Sequence, residues 1–491
     1  MKRRKLLASM VTLGSGLVLH SQLAAAAPAT GAAQPSSAGK NLKVGAATSN
    51  ITPPLGIGVI GNFGKQLAAN IHDELNVRAV VIDDGERKVA MVVCDLLGFR
   101  GTVPKEARKR IKEKIGIPEE NVMISATHTH SAGDAVGNRY VLDAPLTEFQ
   151  EFVVERVVDA VSMAHRNLRP AEVAFGKVDI PEHVFNRRWS MKEGTMPPNP
   201  FGKIDKAKMN PPAGSPNLIE PVGPTDPTVS FVAFREPGGP LISLFAAYSL
   251  HYIGGVKFGD ISADYFAVFC EELKKLQPQP ESPASPGFVA MLANGTSGDI
   301  NNVNFRGGGP KFGPYEKMKY VGKDVAQKVN DALKSVEWKK EASVDSRFQT
   351  VELMRKPIDA ELKAWADETA KKEVPEGKVD MAKIYAERVL SITKAVQEVK
   401  VPLQYIRIGD IGIGAMPVEV FAETGLDFKK RAPLSQSFMI SMTNDYLGYL
   451  PPARHLELGG YETWPGTNHL EAKSEKVLLD TLLEMAGSAK P

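Results

Sequence analysis

Along most of this chain, short apolar runs of strand length alternate with longer amphipathic stripes of helical period. Val122 and Ile124 alternate with smaller or polar neighbours, the period of a half-buried strand. Lys88 to Cys94 is strand-like, and Leu241 to Ala246 and Gly287 to Leu292 predict buried strands. Ile406 to Ala415 and Phe438 to Met442 predict two more. Thr147-Glu148-Phe149-Gln150 predicts a capping box opening a helix to about Leu168, and Glu316 to Val336 reads as an amphipathic helix. Asp359 to Glu398 is helical and charged, with a break near Pro375-Glu376-Gly377. No internal repeat is visible. The pattern predicts a mixed α/β (α+β) fold, sheets flanked by helices, in one domain over residues 41–491. The long irregular stretch, Met191 to Pro227, holds nine prolines and reads as a Pro/Gly-rich loop. A loop of that length is functional or disordered, and here it is expected beside the site, shaping access to it.

Polar, reactive side chains collect just after the strands. Val122 to Ala126 runs into Thr127-His128-Thr129-His130, and in extended chain residues two apart point the same way. The strand before Ser249-Leu250 delivers His251, and the one before Asn294 delivers Gly298-Asp299. Ile406 to Ala415 leads to Met416-Pro417-Val418-Glu419, at the expected start of a helix, and Phe438 to Met442 leads to Thr443-Asn444-Asp445-Tyr446. Ligands in open α/β sheets gather beyond the carboxyl ends of strands. Two histidines and a carboxylate there suffice for zinc, with a position left for water. Each piece has a plainer reading: a hydrogen-bonded histidine pair, a first-turn glutamate suited to the helix dipole, and a turn at Asn294 to Asp299. His72 and His165 keep such plain readings.

Composition places the chain. Lys2-Arg3-Arg4-Lys5, a modestly apolar run from Leu6 to Leu23, and Ala24 to Ala27 have the order of a secretory signal peptide (1–27), followed by a flexible leader (28–40). The adjacent arginines before Leu6 suggest twin-arginine export, so the mature protein is expected to be periplasmic or secreted. Ser15, Gly16 and His20 interrupt the run and argue against a membrane anchor; no integral membrane span is expected in the mature chain. Without the four basic residues of the signal, 56 Lys+Arg face 57 Asp+Glu, which removes the case for a nucleic-acid partner. Cys94 and Cys270 are expected to be buried thiols rather than a disulfide or metal ligands.

Taken in order, several stretches resemble the catalytic domain of the neutral/alkaline non-lysosomal ceramidase family. They are Val44-Gly45-Ala46-Ala47, Asn50-Ile51-Thr52-Pro53, Arg78-Ala79-Val80-Val81, Thr127 to Ser131, Asn186-Arg187 and His251. Gly298-Asp299-Ile300, Pro417-Val418-Glu419, Asn444 to Tyr449 and Gly460-Tyr461-Glu462 complete the set. The resemblance implies a Zn2+ ion held by His128, His251, Glu419 and Tyr449, with His130 assisting proton transfer and Arg187 and Tyr461 lining the scissile carbonyl. It also implies a zinc amidase acting on a small-molecule or lipid substrate, with Asp299 and Asn301 as substrate-binding positions. Family members carry serine where Asn301 stands, so the expected substrate is ceramide or another N-acyl compound. The family's C-terminal immunoglobulin-like domain is not expected within these residues. A zinc esterase, lactonase or carbohydrate deacylase, and a non-catalytic binding protein on the same scaffold, are the alternatives.

Overall fold

Alternate residues of the strands Lys43–Asn50, Asn76–Asp83, Lys88–Cys94 and Val122–Ala126 enter two different cores. Ala90, Val92 and Cys94 face one core, and Val89, Met91 and Val93 the other. Burial on both faces is what makes these runs apolar almost throughout. The computed structural model describes residues 41–488 except 65, 139, 142–143, 279–285 and 376. The expected signal peptide and leader lie outside the described residues. Gly39–Pro491 forms one compact unit.

Three sheets share the central core. The first orders its strands as Val122–Ala126, Lys88–Cys94, Asn76–Asp83, Lys43–Asn50 and Arg169–Pro170. The second comprises Glu172–Asp179, Thr228–Arg235, Leu241–Tyr248 and Val289–Asn294; the third, Val344–Met354, Glu398–Ile408, Ile411–Ala415 and Gln436–Ile440. Val80, Met91 and Met123 of the first meet Val232, Phe245 and Met291 of the second and Ile406, Ile413 and Phe438 of the third. Each sheet is flanked outside by helices: Thr102–Ile115 and Glu148–Arg166, Asp264–Lys275 and Glu316–Leu333, and Ala422–Arg431 with Ser474–Ser488. The Thr147 hydroxyl accepts from Gln150 N and the Gln150 side chain returns to the Thr147 N–H, the reciprocal cap read from sequence. No described helix is long and apolar enough to cross a membrane. Cys94 and Cys270 are buried and unbridged.

Three local readings change. Ile406 to Ala415 is two strands, reversed at Gly409 (φ 57°) and paired antiparallel; apolar residues on both sides hide the turn. Glu419 begins a two-residue strand, Glu419–Val420, and the helix starts only at Ala422. The stretch from Met191 to Pro227 is not one loop: Ala207–Met209 and Leu218–Pro221 flank Arg188–Met191 in a three-stranded sheet. The break in Asp359 to Glu398 separates the helices Ala360–Thr369 and Met381–Lys394, which Asp359 and Asp380 cap with their side chains.

Candidate active site

Backbone bonds stitch the carboxyl ends of the three sheets together. Ser441 N donates to Asn294 O (2.9 Å), Ala126 N to Met442 O (3.0 Å) and Asn444 N to Ile124 O (2.8 Å). The Asn294 side chain adds a bond to Thr127 O at 3.2 Å. The loops that follow those ends therefore share one place, and His128, His130, His251, Glu419, Tyr449, Arg187 and Tyr461 come together there. The histidines converge differently from the sequence reading. His128 is not extended but left-handed, with φ 72°, a costly region for a residue with a side chain. Its N–H is held by Leu96 O at 2.9 Å. The rings of His128 and His130 stand 4.8 Å apart at 86° instead of side by side.

Main-chain and side-chain oxygens fix all three rings. Nδ1 of His128 bonds Leu97 O (2.7 Å), that of His130 bonds Gly61 O (2.8 Å), and that of His251 bonds Ser297 O (3.0 Å). A carbonyl can only accept, so each Nδ1 carries the proton and each Nε2 presents a lone pair. The ligand atoms of the three rings lie within 4.8 Å of one another. Glu419 Oε2 stands 3.4 Å from His128 Nε2 and 3.8 Å from His251 Nε2. Both His251 Nε2 and Glu419 Oε2 are buried without a hydrogen-bond partner. Acceptors gathered without a donor repel one another, and a divalent cation would satisfy them. Ligands about 2.0–2.1 Å from a tetrahedral zinc lie about 3.3 Å from one another, close to the spacings that Glu419 makes. His130 approaches from the side, its Nε2 3.2 Å from that of His128, and its ring stacks on Tyr252 at 3.7 Å.

The electrostatics agree with a ligand set. Burial, reinforced by His128 and Arg187, drives the His130 imidazole well below its usual range and keeps it neutral. Burial and Arg187 do the same to His251. Burial would raise Glu419, but His128, Tyr449 and Arg187 outweigh it and hold the carboxyl below its ordinary value. Tyr446 donates to Glu419 Oε1 at 2.7 Å. Arg187 donates to the Tyr449 hydroxyl (3.0 Å) and to Glu462 (2.8 Å), and Glu462 also pairs with Arg188. The rings of Tyr449 and Tyr461 meet edge to face at 5.7 Å. A cavity of about 160 Å³ opens onto His128, His130, Glu419, Tyr449 and Tyr461, with Phe63 and Arg388 among its walls.

Asp299 and Asn301 are placed differently from their reading as substrate contacts, and neither lines this cavity. Asp299 is fully buried; its carboxylate accepts from Asn186 (2.7 Å) and from Ala422 N (2.9 Å), while its carbonyl accepts from Arg187 N. It fixes the start of a helix and the link between the strands Phe185–Asn186 and Arg188–Met191 where Arg187 stands, so it buttresses the site. Asn301 pairs with Phe185 across a short ladder and donates to Asn210 at 2.8 Å, behind Arg187. The Met191 to Pro227 stretch likewise braces the site from outside, through Asn210 N to Arg187 O and Asp205 to Trp464. Sequence reasoning left Tyr446, Tyr252, Ser297, Glu462 and Arg388 without roles. Tyr446, Glu462, Ser297 and Tyr252 sat inside or beside stretches already singled out; Arg388 lay in an ordinary charged helix.

The sequence profile of the neutral/alkaline non-lysosomal ceramidase family (N-terminal part) matches residues 42–301, more than half of the chain. The chain belongs to this family. Neutral ceramidase of Pseudomonas aeruginosa is 24% identical over 320 residues, covering 62% of this chain and 44% of the relative. That of Mycobacterium tuberculosis is 26% identical over 280 residues, covering 50% and 41%. The chain thus spans less than half the length of these curated relatives. The crystal structure of the Pseudomonas aeruginosa neutral ceramidase superposes with a TM-score of 0.68 at 18% identity, covering 91% of this chain and 74% of that one. A second ceramidase structure, a complex with C2, gives 0.66 at 17% identity, covering 91% and 75%. The ceramidase fold is therefore present. Glu419, Tyr449 and Tyr461 lie beyond the family-matched segment, and the fold brings them to its histidines.

Proposed function

We propose that the chain is an exported zinc hydrolase that cleaves the amide bond of an N-acyl lipid, ceramide or another N-acyl compound, with water as nucleophile. One observation carries the reading: His128 Nε2, His251 Nε2 and Glu419 Oε2 face one another in a buried site with no donor between them. His128, His251, Glu419 and Tyr449 would hold the zinc, whose chemistry is to polarise the carbonyl and lower the pKa of water to about 7.

The remaining steps belong to the chain's own side chains. With its Nδ1 proton committed to Gly61 O, His130 accepts the proton of the attacking water at Nε2 and returns it to the leaving nitrogen. Stacking on Tyr252 keeps the ring in place through both transfers. Glu462 pins Arg187, which with the Tyr461 hydroxyl stabilises the developing oxyanion. A C–O bond forms, the C–N bond breaks, and a carboxylic acid and an amine leave. The cavity admits only the reacting end of a lipid. Phe63, which lines the cavity, and the exposed Leu55 and Leu67 close to it in the chain supply apolar surface for the acyl chain.

Metal analysis of the purified protein should find zinc near one equivalent. Hydrolysis of N-acyl amides should vanish with a chelator and return with added zinc. Undiminished turnover by metal-free protein overturns the proposal.

A further inference from the structure

Arg388 is a cation on the wall of the reaction cavity with no counter-charge among the described residues. It projects from the helix Met381–Lys394, and its guanidinium carbon stands 5.5 Å from the centre of the Phe63 ring and 4.9 Å from that of Tyr385. Other arginines have carboxylate partners: Arg187 and Arg188 share Glu462, and Arg78 pairs with Asp95. Arg388 has aromatic faces and no carboxylate. The cavity's own carboxylate, Glu419, is already committed, with Oε1 bonded to Tyr446 and Oε2 facing the histidines.

The surrounding chain is shaped to bring this cation in. Gly466 has φ 86°, and a Cβ there would stand 2.7 Å from the Arg388 Cβ, so glycine permits the close approach. Phe201 packs against Tyr385 and Trp365, and Tyr385 against Trp464, which holds the helix at the site. A guanidinium is a planar fork that matches a carboxylate with two parallel hydrogen bonds. A neutral amide such as ceramide offers it no charge. At about 160 Å³ the cavity holds the volume of about five waters, enough for an amide and a small anionic group.

Building on the amidase reading above, we propose that the substrate is an N-acyl amide with a carboxylate on the amine side of the scissile bond, an N-acyl amino acid, bound through Arg388. The test compares two matched amides, N-dodecanoyl-glycine and N-dodecanoyl-ethanolamine, on the zinc-loaded protein. The expected ratio of kcat/KM favours the carboxylate by about 10- to 100-fold, the usual range for a charge-assisted bond. Arg388→Met should bring that ratio near one, and Arg388→Lys should restore part of it. Equal turnover of the pair by the unmodified protein, or an unchanged ratio in Arg388→Met, overturns the proposal. Calorimetric binding of N-dodecanoyl-glycine to metal-free protein separates the two readings. Binding lost in Arg388→Met, without hydrolysis by loaded protein, keeps the anion site and removes the amidase. Hydrolysis of both amides with no difference in binding does the reverse.

Discussion

Glu419 and Tyr449 face each other across a two-residue parallel ladder, with Val420 opposite Leu450 and Glu419 N bonded to Gly448 O at 2.9 Å. Two of the proposed ligands are thus spaced by backbone hydrogen bonds rather than by side-chain packing alone. Gly448, at φ 75°, makes the ladder possible, because a Cβ there would run into Thr467 O and the His469 ring.

Gly448→Ala should therefore destabilise the fold by about 1–3 kcal/mol and weaken metal retention together. Thermal unfolding beside metal content checks this; normal metal content in a destabilised protein would show that the ladder does not space the ligands.

His128→Ala and Glu419→Ala should lose both zinc and turnover. Asn301→Ala, which breaks the side-chain bonds to Asn210 and to Asn302 N, should keep full zinc content and alter substrate preference only indirectly, through Asn210 and its bond to Arg187. Asn301→Ser is expected to raise activity on ceramide relative to other amides. Metal analysis alongside kinetics for all four variants separates these outcomes.

Asp264 titrates in an accessible window. Burial raises its pKa from 3.8 to about 6, although Gly254, Tyr265 and Ile253 N–H groups donate to it. Between those values the folded chain holds a proton that the unfolded chain has released, so this residue makes stability fall as pH rises from about 4 to about 6. The slope it contributes is at most about 1.4 kcal/mol per pH unit, and it flattens above the folded value. Urea unfolding across pH 4–7 should show that slope reduced in Asp264→Asn; parallel curves would contradict the assignment.

Phe201→Ala removes ring contacts to Trp365 (5.0 Å) and Tyr385 (5.6 Å). Hydrogen exchange should quicken in Met381–Lys394 while Lys88–Cys94 stays protected, with KM rising more than kcat falls. Uniform acceleration across the chain would mean that Phe201 supports the whole fold and not this helix.

Elements whose signal is local were legible. Lys88–Cys94 and the cap at Thr147 declare themselves in a few residues, and the segments after the strands carried His128, His251 and Glu419. What escaped is what depends on distant backbone. Pairing with Tyr449 makes Glu419 a strand residue, and no pattern near Glu419 shows it. The strands at 207–209 and 218–221 have no period of their own and exist because Arg188–Met191 lies between them. Asp299 reads as a reactive carboxylate beside glycine, yet Asn186 and Ala422 consume both its oxygens. Arg388 sits in an ordinary charged helix and becomes notable only where that helix docks.

The carbonyls that orient the three imidazoles belong to the main chain, so the side chains at those positions are free to vary to different degrees. At Leu97 the oxygen is supplied whatever residue stands there, and substitution touches packing more than ring orientation, whereas Ser297 adds its hydroxyl to the His251 ring at 3.2 Å. At Gly61, with φ 127°, a Cβ would stand 2.7 Å from the Cβ of His130. Natural variation around this centre should therefore be uneven, broad beside His128, narrower beside His251 and closed beside His130, where only glycine leaves room for the ring.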